Sequence, residues 1–223
     1  TIKKITAGFE RLGVIYIADG HHRSAAASRV ASERARTNSR HSGLEPYNRF
    51  LLASFPETEV QILDYNRLVR GANGLSRDQL LKRIEKRFEV STSSVPVRPE
   101  EPQTFGMYVA GAWYALRYAT EIVNSGTPID NLDSSILTNE IITPLLGIHD
   151  LRRDPRIDFV GGIRGMEELE KRVDSGGWDA AFALFPITTN QLMTIADAEK
   201  IMPPKTTWFE PKLVDGLVSL MLD

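Results

Sequence analysis

The chain has 223 residues, enough for one large domain or two small ones with a buried core. Its 42% hydrophobic and 25% charged content is ordinary for a globular domain, and a formal net charge of -2 argues against a surface built to coat nucleic acid. The absence of cysteine excludes a disulfide framework, a thiolate metal site and a cysteine nucleophile, and makes a reducing cytoplasm the expected setting. No apolar run approaches the ~20 residues that span a bilayer, so no membrane partner is expected. The opening "TIKKITAGFERLG" has the character of mid-domain sequence, and a longer parent protein is expected.

Residues 14–18, "VIYIA", are β-branched and aromatic and predict a buried strand. The alanine-rich "RSAAASRVASERARTNS" that follows predicts a helix with Ala26, Val30 and Ala31 on an inward stripe. Residues 49–56 and 59–69 read as two further strands. Ser76 is a good N-cap for a helix whose leucines, Ile84 and Phe88 recur at helical spacing. The proline-rich stretch 91–106 reads as a linker or long loop, and 105–118 as a hairpin around Ala110-Gly111. Beyond it the pattern gives an amphipathic helix over 130–148, a strand over 156–162, a helix over 165–177, a strand over 178–187 and a threonine-capped helix over 188–201. A proline-bracketed loop and a short apolar element, 217–222, close the chain, and the apolar side chains of 132–148 and 217–222 are expected in the core. Strands alternating with helices indicate an α/β or mixed α+β protein, divided into residues 1–95 and 96–223.

The strand-to-turn-to-helix passage "VIYIADGHHRSAAASRV" concentrates chemistry. The first N–H groups of a helix lack internal acceptors, and the helix dipole makes that end electropositive. Phosphates collect at such ends. Gly20 can take a positive φ and let a ligand approach the main chain, and Arg23 offers a planar donor fork. His21 and His22 can donate to phosphate or act as acid and base near neutrality, and Asp19 could orient a histidine, hold a phosphate-borne cation or accept a hydroxyl proton. Ser24 is counted with Gly20, His22 and Arg23 in the phosphate-binding group. The competing interpretation is structural: Asp19 caps, Gly20 turns and the rest is solvated surface. Adjacent histidines diverge, and His41 and His149 are isolated, so a zinc site is the weaker alternative.

These residues also carry a family resemblance. "YIADGHHRSAAA", followed in order by "QILDYNRLV", "GMYVAGAWYALR", "LDSSILTNEII", "RIDFVGGIRG", "AFALFP" and "MPPKTTWFEPKL", resembles a bacterial and archaeal family catalogued as a domain of unknown function. The resemblance implies a ParB/sulfiredoxin-like nucleotide-binding core over residues 1–95, with an additional C-terminal α/β lobe. Sulfiredoxin carries Gly-Cys-His-Arg at the corresponding turn; His21 stands at the cysteine's place here, which excludes sulfinic-acid repair. Free-serine kinases of the superfamily carry Asp-Gly-His-His-Arg. The resemblance thus implies Gly20, His21, His22 and Arg23 as a cradle for ATP or ADP with Mg²⁺, Asp19 as a catalytic or orienting group, and L-serine as a phosphate acceptor. Family members are longer and carry an N-terminal Lys-His-Glu stretch absent from this chain, so that missing segment is itself an expected partner. Homo-oligomerisation is left open.

Three further clusters are candidates. Gly161, Gly162, Arg164 and Gly165 form a strand–glycine–arginine–helix passage that could seat a second anion, though a purely structural turn is the simpler interpretation. In "MPPKTTWFEPKL", Lys205 and Thr206 could grip a carboxylate or phosphate, while Lys212 and Glu210 are assigned to each other. With Arg164 they form the candidate substrate-binding set. Asp64, Asn66 and Arg67 stand near a strand end and either reach a cleft or form its rim. Two functions follow. The first is nucleotide-dependent phosphotransfer to a small molecule. The alternative is a non-enzymatic nucleotide-binding or DNA-associated ParB-like regulatory module, using Arg29, Arg34, Arg36 and Arg40 as a local patch. DNA is the less expected partner, given the charge and the lack of a basic recognition helix.

Overall fold

The computed structural model describes residues 1–119, 127–214 and 216–221, and they fall into two compact units: Thr1–Val60 with Pro211–Asp223, and Gln61–Glu210. The expected division at 95/96 falls inside the second unit, between two strands of one sheet.

The first unit is built on two helices, α1 (Ile2–Glu10) and α2 (His21–Thr37). Among its described residues there is no strand. The expected strands at 14–18 and 49–56 form no regular element, with Val14, Ile15, Ile17, Phe50, Leu51 and Leu52 about half exposed. Their composition favours β structure, but a strand needs a hydrogen-bonded neighbour, and no described segment of this unit supplies one. None of the residues of α2 is fully buried; Ala26 and Ala31 are half-buried, and Val30 is exposed. The apolar side chains at 217, 218 and 221 are likewise exposed rather than in a core, and position 222 lies outside the described residues.

The second unit is a mixed α+β fold around a six-stranded antiparallel sheet. The predicted strand at 59–69 splits at Asp64 into β1 (Gln61–Leu63) and β2 (Tyr65–Val69). Helix α3 (Arg77–Ile84) begins where Ser76 predicts, with Ser76 Oγ accepting from the Gln79 amide at 3.3 Å and Gln79 Oε1 accepting from the Ser76 amide at 2.9 Å. Phe88, expected on that helix, instead opens β3 (Phe88–Ser93), which is followed by β4 (Thr104–Val109) and β5 (Ala112–Tyr118). The predicted linker 91–106 is therefore the β3–β4 connection together with its flanking strand ends. It lies on the sheet, with the Val97 carbonyl where a Cβ on Gly106 would fall. The β4–β5 hairpin turns at Ala110 and Gly111, with φ of 50° and 76°.

The predicted helix at 130–148 forms as α4 (Asp133–Leu137), a π turn (Thr138–Ile142) and α5 (Thr143–Leu146). Pro144 cannot donate to the carbonyl four residues back, and the wider turn before it accommodates the lost bond. Strand β6 (Ile157–Gly161), helix α6 (Gly165–Asp174), strand β7 (Ala180–Leu184), helix α7 (Thr189–Asp197) and strand β8 (Trp208–Glu210) complete the unit. The sheet order is β3-β5-β4-β7-β2-β6, and β8 pairs with β1 in a second, two-stranded sheet.

Alternation along β7 puts Ala180, Phe182 and Leu184 in a cluster with Leu80, Ile84, Leu137 and Ile141, while Ala181 and Ala183 face a cluster with Leu169 and Val173 of α6. One sheet face thus carries α3 and the α4–α5 segment, and the other carries α6. Close approaches fix two glycines. A Cβ on Gly161 would overlap the Trp208 ring, and one on Gly162 would overlap the Asp64 carboxylate.

Gly162→Ala is expected to lower the unfolding free energy by about 3 kcal/mol, the upper end for overpacking against a side chain that cannot retreat. Gly177→Ala, where a Cβ meets nothing nearer than 3.6 Å, should stay within about 0.5 kcal/mol of the parent. Urea midpoints of the two variants check the contrast, and equal midpoints would remove the steric account of the Gly-Gly turn.

Candidate functional site

The turn at residues 19–24 lies in the first unit. Gly20 is the N-cap of α2 at φ 88°, a conformation that favours glycine, and no side chain caps the helix. The amides of the first turn, from His21 to Arg23, therefore present donors with no intrahelical acceptor. His21, His22 and Arg23 are exposed. The Arg23 guanidinium folds back over Gly20, close enough that a Cβ there would sit 3.4 Å from Nε and Nη2. Asp19 Oδ1 accepts from the Gly20 amide at 2.7 Å, and Oδ2 accepts from Lys212 Nζ at 3.0 Å.

Partial burial would raise the Asp19 pKa. The Lys212 and Gly20 hydrogen bonds, with the charges of Lys212 and Arg23, outweigh it and hold the carboxyl below its usual range. Such a carboxylate is a weak general base and is better suited to orienting a neighbour or holding a cation. The Ser24 hydroxyl donates to the carbonyls of Gly20 and His21, at 3.3 and 3.1 Å, which leaves its lone pairs rather than its proton for other use. Sequence reasoning assigned Lys212 to Glu210 and missed its bond to Asp19; Glu210 accepts from Trp208 Nε1 at 2.7 Å. Of the arginines on α2, Arg36 is paired with Glu33 at 2.7 Å. Among the described residues no group of three His, Cys, Asp or Glu side chains is placed to hold a metal ion, so a phosphate-borne Mg²⁺ would find one carboxylate at this turn, Asp19.

The second unit separates the remaining candidates. Arg164 is exposed, 3.7 Å from Glu168, and does not line the cavity described below. The Gly162 amide donates to the Asp64 carbonyl at 2.8 Å, and Gly161 and Gly162 leave no room for a Cβ against Trp208 and Asp64, so packing alone accounts for both glycines. Lys205 and Thr206 do come together with β2. Lys205 Nζ lies 5.5 Å from the Tyr65 ring centroid and 3.3 Å from its hydroxyl, while Thr206 donates to the Pro203 carbonyl at 2.8 Å.

Asp64, Asn66 and Arg67 are buried rather than at a rim. Asp64 accepts from Asn66 Nδ2 and, at 3.4 Å, from Arg98; Asn66 Oδ1 accepts from the Leu184 amide at 3.0 Å. Arg67, 1% exposed, donates to the Tyr65 carbonyl and packs 4.9 Å from the Phe159 ring centroid. Burial pulls its pKa down to about 10, and its Nε has no partner among the described residues.

Arg67 shares a cavity with Asp133, which sequence reasoning passed over; its signal was an acid among the apolar residues of "LDSSIL". Burial pushes the Asp133 carboxyl up to about 7, against hydrogen bonds from the Gln103 and Phe185 amides. The Gln103 bond to Oδ1 is 2.9 Å, and Oδ2 has no partner among the described residues.

Fold and turn together define a mixed α+β protein with an open helix N-terminus flanked by basic side chains. Residues 1–135 match the family described as "Protein of unknown function (DUF1015)", and the chain belongs to that family. No curated protein matches it. Among solved structures it is similar to a free serine kinase in complex with AMP, at 15% identity and a TM-score of 0.46, covering 86% of this chain and 66% of that one. An ADP complex of a free serine kinase variant is similar at 16% identity and a TM-score of 0.43, with the same coverage. A conserved hypothetical protein from Pyrococcus furiosus is similar at 17% identity and a TM-score of 0.41, covering 86% of this chain and 68% of that one. The chain thus spans just under two thirds of the length of the serine kinases it matches, and these distant likenesses fix no functional residue in it.

Because the native Asp133 holds its proton up to about pH 7 and an unfolded one only to about 3.8, the native state binds the extra proton between those values. Stability should therefore fall as pH rises through that window, by on the order of 1.4 kcal/mol per pH unit, and level off above it. Asp133→Asn should flatten this component and leave the variant the more stable protein at pH 8. Denaturant unfolding of both proteins from pH 4 to 8 checks it; parallel curves would refute the buried, proton-holding carboxyl.

Proposed function

We propose that the turn at residues 19–24 binds the phosphates of ATP or ADP and that the protein transfers a phosphoryl group to a small molecule. The observation that supports this most is the uncapped start of a 17-residue helix, entered through Gly20 at φ 88°, with Arg23 folded over that glycine. Bare amides, a helix dipole and a guanidinium converge on one exposed point, the arrangement that polyphosphates require. Gly20 lets the phosphates approach the main chain. His22 and Arg23 donate to them, and Ser24 holds the first turn closed through its carbonyl bonds.

In the transfer, the acceptor hydroxyl attacks the terminal phosphorus and the bridging P–O bond breaks. The shortened nucleotide leaves, and the hydroxyl proton passes to a base. Of the catalytic candidates Asp19, His21 and His22, an imidazole would take that proton, and Asp19 is the carboxylate that would hold Mg²⁺. When bound, Mg²⁺ neutralises charge on the phosphates. A ParB/sulfiredoxin-like character for residues 1–95 and L-serine as acceptor are what the resemblance implies, and the lack of cysteine supports a cytoplasmic setting. Among the described residues, no helix is long and apolar enough to cross a membrane.

The experiment is direct: titrate the protein with Mg-ATP and Mg-ADP, then incubate each nucleotide with a panel of amino acids and follow ³¹P resonances. His22 and Arg23 are exposed, so the His22→Ala/Arg23→Ala variant should fold normally. It should bind nucleotide at least about tenfold more weakly, the loss expected from one or two charge-assisted hydrogen bonds. Unchanged nucleotide affinity in that variant would overturn the assignment.

A further inference from the structure

The cavity bordered by β2, the start of α4, the turn after β7 and the 203–206 loop has a volume of about 20 Å³, room for roughly one water, and opens to solvent. Its lining includes Tyr65 and two charge-bearing side chains, Arg67 at 1% and Asp133 at 8% exposure, and each of these two has a buried polar atom with no partner among the described residues. Their situations differ. Asp133 Oδ1 is satisfied by a backbone amide, and its Oδ2 is bare. The Arg67 guanidinium has a carbonyl and an aromatic ring as neighbours, and no carboxylate pairs with it among the described residues. A buried cation without a counter-charge is among the costliest groups a fold can retain, and a water molecule completes its hydrogen bonds without neutralising it.

We propose that this cavity seats the carboxylate head of a small metabolite between the guanidinium of Arg67 and the carboxyl of Asp133. The head is small, planar and singly charged, which matches one water-sized space and one guanidinium edge. A phosphate is larger and carries more charge than the single cation offsets. Ser134 adds a hydroxyl whose nearest protein partner, Thr206 Oγ1, is 3.5 Å away. Asp133 donates its proton to the ligand when it is an acid and repels the ligand when it is ionised. The charged and titratable groups around it are Arg67 and Tyr65 of β2 and, beyond Tyr65, Lys205 of the loop; the Gln103 and Phe185 amides face it from the remaining sides. The site belongs wholly to the second unit and does not depend on phosphotransfer at residues 19–24.

The test is calorimetric titration of the whole chain with sodium acetate and, separately, inorganic phosphate, with chloride keeping ionic strength constant, at pH 6 and pH 8. Acetate should bind saturably with a Kd of about 1 mM and about tenfold more tightly at pH 6 than at pH 8. Arg67→Met, which keeps the volume and removes the charge, should abolish saturation. Should that variant fail to fold, Ser134→Ala carries the test, with affinity about three- to tenfold weaker. Asp133→Asn should still bind, through its amide, with no difference between the two pH values. No saturation by about 20 mM acetate, phosphate binding more tightly than acetate, or full affinity in Arg67→Met or Ser134→Ala would each overturn the proposal.

Discussion

The second unit depends on how one strand disposes of buried polar groups. Strand β2 runs between β7 and β6, and in and beside it stand an aspartate, an asparagine and an arginine that are almost wholly buried. Each must find protein partners or carry a penalty of kcal/mol size. Asn66 takes the Leu184 amide at the end of β7 and gives its own amide to Asp64, so a side chain extends the ladder where the backbone pairing stops. The Asp64 carboxylate occupies the space over Gly162, and that is why the chain can leave β6 only through a residue without a Cβ. The place of Gly162 and the approach of Arg98 both follow from Asp64. Arg67 is the member whose account does not close within the protein.

Legibility followed the range of the interaction that fixes each element. Helices α3 and α7 were placed from sequence because their capping boxes are local; Ser76 with Gln79, and Thr188 with Gln191, lie three residues apart. The β4–β5 hairpin was legible because two adjacent positive-φ positions force it. Strands at 14–18 and 49–56 were not, because composition reports a preference for the pleated state and says nothing about whether a neighbour exists. In the other direction, β8 was hidden inside a proline-bracketed stretch and forms because Leu63 and Ile62 lie opposite Trp208 and Phe209. The β3–β4 connection looked like a linker for the same reason: its prolines and Gly106 were visible, and the contact of Gly106 with the Val97 carbonyl was not.

The candidate residues divide along a similar line. The turn at Asp19 was found by motif, and its geometry agrees with a local argument about helix ends. Lys212, separated from Asp19 by most of the sequence, could not be paired with it by any local rule. Arg164 looked like the basic member of an anion loop; one amide of that loop, that of Gly162, is engaged with the Asp64 carbonyl, and Arg164 itself lies exposed near Glu168. Asp133 was concealed by its own helix, where an acid near the N-terminus is what the dipole ordinarily favours. Only burial sets it apart from a solvated first-turn carboxylate.

The apolar stretches at 14–18 and 49–56 bear on handling as much as on architecture. Each displays a row of β-prone apolar side chains, half open to solvent, along backbone that joins no ladder among the described residues. Exposed edges of that kind template pairing with other chains and, at high concentration, fibrous or amorphous precipitation. A lysine placed within either stretch is the conventional gatekeeper against such pairing.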